Sequence, residues 1–235
     1  MLASKSSGNR QSTRTKRCDW AKLVDIAAQQ FDNNKPPTFQ WKSVVPVNPD
    51  LRQLGPRDGQ REKNVNLAKS IESLTSFIPI FEATTSSLTI EEARWRPESG
   101  NWSILEIAAH LVDEEVEDFR LRVQMTLNDP TEPWPPIDPP QWALDRNYNE
   151  QDLNEVRQKF VDERKRSIEW LKSLSPESDW DCTYQHPHIG PLKAGQLMAA
   201  WTAHDWLHLR QIAKRKFELA ELAGGEYDST YAGRW

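Results

Sequence analysis

The chain has 235 residues, 28 % of them charged and 37 % hydrophobic, with a formal net charge of -5. That length is ample for a self-sufficient core. The acidic balance argues against general nucleic-acid binding as the main task, because such binding works by neutralising phosphates. No run of eighteen apolar residues occurs, so neither a bilayer span nor a secretory signal peptide is expected. Cys18 and Cys182 stand far apart and match no metal-ligand spacing, which fits a reducing, cytoplasmic setting.

Residues 1–17 carry Lys5, Arg10, Arg14, Lys16 and Arg17, no acid and almost nothing apolar, and read as a disordered tail. They lack the amphipathic stripe of a transit peptide. Asp19 is a plausible N-cap for a short helix over 19–31, and the five prolines and PRDG turn of residues 32–60 read as a linker. Residues 1–60 therefore form an N-terminal extension, followed by a bundle over 61–220 and a tail over 221–235.

The first bundle helix is predicted from Leu67, Ile71, Leu74, Ile78 and Phe81, with Pro79 marking a kink or an early end. Ser103 and Glu106 form a capping box that opens the second, whose stripe runs through Ile104, Ile107 or Ala108, Leu111, Glu115 and Phe119 to about residue 127. Residues 128–148 hold six prolines and are predicted to be irregular rather than helical. At up to ~3.3 Å per residue this stretch can run back along the whole length of a bundle, so the second and third helices can be parallel. The third helix starts at Leu153 and buries Val156, Phe160, Ser167, Leu171 and Leu174. The fourth is expected from near Pro191 to near Phe217 on Leu197, Trp201, His204, His208 and Gln211 or Ile212. No alternating pattern of useful length predicts a strand. The fold class is all-α, most simply a four-helix bundle.

His204 and His208 lie one helical turn apart, separated by about 6 Å of rise and roughly 40° of rotation, so both rings leave one face. Such a pair is also what two ordinary half-buried histidines look like. Their place on the core-facing stripe sharpens the matter, because an unpartnered polar ring there costs of order 1 to 3 kcal/mol. Among the five histidines, only His110 supplies a third ring from within a predicted helix. It falls at the level of the pair if the second and fourth helices are antiparallel, and more than about 10 Å away if they are parallel. Three imidazoles without cysteine suit Zn²⁺, Ni²⁺ or a related divalent ion, with a fourth position open to water or substrate. Asp113 and Glu114, at i+3 and i+4 from His110, are candidates to orient a ligand or act as general base, although DEEVED is equally the pattern of a solvated acidic face. Gln211, at i+3 from His208, is a candidate to orient its ring. His186 and His188 fall in a predicted loop and are left outside the ligand set.

ARWRPESGNWSILEIAAHLVDEE, DERKRSIEWLKSL and IGPLKAGQLMAAWTAHDWLHLRQIA together resemble the DinB-like superfamily of metal-binding four-helix bundles over roughly residues 64–217. The resemblance places the family's three metal histidines at His110, His204 and His208. It implies an up, down, down, up bundle with the long crossover between the second and third helices. Relatives include thiol-dependent transferases, so a small-molecule substrate handled with a low-molecular-weight thiol, or hydrolysis, is the implied activity. A non-catalytic metal-stabilised bundle, working by homodimerisation or partner binding through segment 130–148, is the alternative. Arg210 stands where the sulfoxide synthases of the superfamily carry an acid in HxxxHxE, which argues against that activity.

Overall fold

The structure, a computed structural model, describes residues 65–233 and 235; the basic tail, the helix expected over 19–31 and the proline-rich linker lie outside the described residues. Helix α1 (Leu67–Thr85) opens on Asn66, whose Oδ1 accepts the Lys69 N–H at 3.0 Å. It runs through Pro79 instead of ending there, with Leu74 and Phe77 buried before the proline and Phe81 after it. Each such side chain contributes about 1.5–3 kcal/mol on burial, against roughly 3 kcal/mol for an interior proline, so the apolar face holds the helix together.

A single turn, α2 (Ile90–Arg94), leads to the second bundle helix. This is α3 (Ile104–Asp113), a π-helical segment (Glu114–Phe119) and α4 (Arg120–Asn128) run end to end. The capping box at its start forms as expected, Ser103 Oγ accepting the Glu106 N–H and the Glu106 carboxylate accepting the Ser103 N–H.

The connection that follows corrects one expectation. Pro139–Asp145 forms a short helix, α5, because its two prolines occupy the first turn, where a missing N–H costs nothing, and Asp138 caps the Gln141 N–H. Both of its tryptophans turn inward. Trp134 stacks on Tyr184 with ring centroids 3.9 Å apart, and Trp142 lies beneath the Arg146 guanidinium at 4.2 Å.

Helix α6 (Leu153–Ser173) is capped by Asp152. A small antiparallel hairpin, β1 (Thr183–His186) and β2 (Gly190–Lys193), then replaces the expected loop. Strands of four residues are too short for alternation to show in sequence. Gly190, at φ +90°, supplies the left-handed residue that starts the return strand. The last helix, α7, spans Ala194–Ala223, starting after Pro191 and continuing beyond Phe217.

Side-chain pairings give the directions of the four bundle helices. Going forward along the second helix, His110 meets His208 while Glu115 and Phe119 meet Trp201, so it is antiparallel to α7. Phe77 meets Trp206 while the Thr84 carbonyl accepts from Lys216, so α1 and α7 are parallel. Leu74 and Phe81 meet Arg164 and Phe160, so α1 and α6 are antiparallel. The result is an up, down, down, up bundle whose second and third helices share a direction. The core has two apolar clusters, one around Phe81, Ile107, Phe160 and Ile212 and another around Phe119, Ile168, Met198 and Trp201. Between them lies a buried polar layer containing His110, Glu114, Glu115, Arg164, Asp205 and His208. No helix among the described residues is long and apolar enough to cross a membrane.

Candidate metal centre

The polar layer is where the three histidines meet. Ligand atoms of His110, His204 and His208 all lie within 4.8 Å of one another. His110 and His208 are buried and His204 is half-buried. The Nε2 atoms of His204 and His208 face each other at 3.0 Å. Gln211 accepts from His208 Nδ1 at 2.8 Å, which fixes the proton on Nδ1 and leaves Nε2 with its lone pair.

The electrostatics keep these rings neutral. Burial lowers the His110 pKa well below the usual histidine value, with His208 adding to the effect. His204 is lowered well below it by burial, then by His208, His110 and Arg164. Burial pushes His208 down to about 4. Neutral imidazoles are what a cation requires. A tetrahedral divalent ion at about 2.0–2.1 Å from each nitrogen asks for nitrogens roughly 3.4 Å apart. The observed cluster brackets that spacing, so small side-chain rotations suffice and the residues fit such an ion.

Glu114 is buried with Oε1 3.6 Å from His110 Nδ1, a close approach longer than a hydrogen bond. Burial raises its pKa well above the carboxylate range, reinforced by Asp118, with which it shares a hydrogen bond. Asp118 is raised mainly by burial and is itself paired with Arg122 at 3.0 Å. Asp113 is placed differently from the expected role. Its Oδ2 accepts from Arg146 at 2.6 Å and from the Tyr148 hydroxyl, tying the connection to the second helix. Tyr148 and Trp102 nevertheless reach the site's edge, the Trp102 ring standing 4.9 Å from that of His110 and 6.4 Å from that of Tyr148.

DEEVED is therefore not a solvated face. Four of its five acids meet an arginine: Asp113 and the half-exposed Glu117 meet Arg146, Asp118 meets Arg122, and Glu115 meets Arg164, while Glu114 lies beside His110. The π-helical segment makes this possible. Within this wider helix Glu115 reaches Trp201 of α7 and Arg164 of α6, while Glu114 stays beside His110. Sequence reasoning missed Arg164 and Asp205. The signal was present, since residues 160, 164, 167 and 171 form one stripe and place an arginine on the apolar face of α6. His186 and His188 sit at the hairpin turn with ring centroids 6.0 Å apart and are not part of the three-histidine group.

An up, down, down, up bundle with three imidazoles converging from antiparallel second and fourth helices defines a class of protein: a helical bundle with a built-in metal centre. The chain belongs to the DinB superfamily, whose family model matches residues 78–212. A protein of Oceanobacillus iheyensis, named as a proposed metal-dependent hydrolase, is 26 % identical over 158 residues, covering 65 % of this chain and 89 % of that one. The fold is shared with YfiT from Bacillus subtilis, a four-helix bundle of unusual topology also described as a proposed metal-dependent hydrolase. The TM-score is 0.61 at 14 % identity, over 68 % of this chain and 93 % of YfiT.

Proposed function

We propose that this protein is a divalent-metal-dependent hydrolase acting on a small electrophilic substrate, with His110, His204 and His208 as the ligands. The observation that carries the reading is the convergence of three neutral imidazoles, two buried and one half-buried, with a carboxyl group at their edge. A donor set of imidazoles alone suits Zn²⁺ or Ni²⁺. When bound, such an ion supplies Lewis acidity and makes a water nucleophilic near neutral pH.

The remaining work falls to side chains. Gln211 holds the Nδ1 proton of His208 so that Nε2 faces the centre. Glu114 Oε1, beside His110, takes the proton from the attacking water and returns it to the leaving group. Burial makes it a stronger base than an exposed carboxylate. Asp118, buried next to it, adds to the rise of its pKa. Trp102 packs against the His110 ring and limits its rotation.

The test is hydrolysis of a panel of small esters and amides by metal-free, zinc-loaded and nickel-loaded protein, with and without a low-molecular-weight thiol. Metal-dependent hydrolysis that falls about 10²- to 10⁴-fold in Glu114→Gln while metal stays bound supports the reading. Turnover only when thiol is added assigns S-transfer instead. Stoichiometric metal without turnover by either nucleophile assigns a metal-stabilised bundle that works through partners.

A further inference from the structure

Arg164 of α6 is buried at the level of the histidines and touches every other helix of the bundle. Its Nε donates to Glu115 Oε1 of the second helix at 2.9 Å. Its Nη1 and Nη2 donate to the two carboxylate oxygens of Asp205 on α7 at 2.6 and 2.8 Å, and Nη1 also reaches the Leu74 carbonyl of α1 at 3.3 Å. Glu115 is held from the other side by the Trp201 indole N–H at 2.9 Å. The guanidinium also packs against the Phe160 ring at 4.8 Å. Asp205 lies in the turn between His204 and His208, and Glu115 lies five residues beyond His110, so both carboxylates belong to the two helices that carry the ligands.

We propose that Arg164 is the positioning residue of the three-histidine centre: one guanidinium, clamped to Glu115 and Asp205, fixes the spacing and rotation of the second and fourth helices and thereby the separation of the imidazoles. This rests on the metal reading of that cluster.

The geometry shows why such a clamp matters. A helix with its side chains has a radius of about 5–6 Å, so turning α7 by about 20° carries an imidazole tip about 2 Å. That is ten times the ~0.2 Å tolerance on a metal–ligand distance. Asp205 projects about 100° round the helix from His204 and about 60° from His208. A bidentate bond there resists rotation far better than the apolar contacts on either side, which slide at little cost. Stability alone does not require the cluster. A buried ion triad replaced by uncharged groups of similar volume is often neutral or stabilising, whereas removal of one partner is strongly destabilising.

The experiment uses the full chain and zinc alone. Zinc affinity is measured by competition with a chromophoric chelator, and ligand geometry by the visible bands of the Co²⁺ form. The triple variant Arg164→Met/Glu115→Gln/Asp205→Asn removes every charge of the cluster while leaving an acceptor for the Trp201 N–H. It is expected to unfold cooperatively near the wild-type temperature but to bind zinc at least tenfold more weakly, with shifted Co²⁺ bands. Arg164→Lys keeps the charge but loses the fork, and is expected to fall between the two. Wild-type zinc affinity and unchanged Co²⁺ bands in the triple variant overturn the proposal. If the triple variant does not fold, Arg164→Lys decides: weaker zinc binding with shifted bands supports it, and wild-type behaviour overturns it. A wild type that takes up no zinc overturns this proposal together with the metal reading on which it rests.

Discussion

The Arg164 cluster, buried and drawn from all four bundle helices, and the three-histidine cluster, largely buried and drawn from two, lie side by side in one polar layer, yet their polar atoms are used in opposite ways. Arg164 finds carboxylate or carbonyl oxygens for Nε, Nη1 and Nη2. The histidines turn ring nitrogens toward one another, His204 Nε2 and His208 Nε2 meeting at 3.0 Å, with their pKa values lowered so that the rings stay neutral. A saturated network is part of the scaffold. Nitrogens held neutral and convergent are preorganised for something from outside. The contrast separates what holds this bundle in shape from what the bundle is shaped to hold.

The sharpest way to break the contrast is to truncate one member of each cluster. Arg164→Ala leaves Glu115 and Asp205 buried without their cation and is expected to destabilise the protein by about 3–5 kcal/mol, read from denaturant unfolding. His208→Ala should leave the metal-free fold cooperative and lower zinc affinity at least a hundredfold, equivalent to ~2.7 kcal/mol. Chelator competition checks the affinity and thermal unfolding checks the fold. Equal loss of stability in both variants would erase the distinction between the clusters.

A pH series is expected to give a smaller effect. His208 titrates at about 4 in the folded chain and near 6.5 when unfolded, so between these values the unfolded state binds the extra proton. Its contribution to stability is present above pH 6.5 and is lost as pH falls toward 4. Metal-free wild type should therefore lose about 2 kcal/mol relative to His208→Ala between pH 7 and pH 5. The buried acids Glu114 and Asp118 work with the opposite sign, since their raised folded values favour the proton. Because both proteins retain these acids, the difference between them removes their contribution and leaves that of His208 together with its effect on His110 and His204. The smallest change expected is in Gln211→Ala, which frees the His208 tautomer and should weaken zinc binding about tenfold without altering thermal stability.

Much of this layout could be read before any coordinates. The stripes of the four long helices, the Ser103 capping box and the antiparallel pairing implied by a shared site all follow from spacing and helix rise. The convergence of His110 with His204 and His208 needed more: helix rise only made it compatible with an antiparallel pair, and the family resemblance supplied the third ligand. What sequence did not reveal has physical causes. The hairpin strands are too short for alternation to register, and the helix at Pro139 hides because prolines in a first turn look like breakers. The π-helical segment in DEEVED has no signature of its own. Its acids read as solvent-facing until Arg122 one turn on and Arg146 and Arg164 from distant parts of the chain are seen to pair with them. Arg164 was visible on the α6 stripe as a charge out of place, but its partners Glu115 and Asp205 are identified only by the packing of three helices.

The central claim is that the three histidines together hold one divalent ion. X-ray absorption at the zinc edge of the loaded full chain tests it most directly. The account predicts one zinc per chain with three imidazole nitrogens at about 2.0–2.1 Å and a fourth light scatterer. Zinc that is substoichiometric, bound chiefly through oxygen, or unaffected by His208→Ala would contradict it.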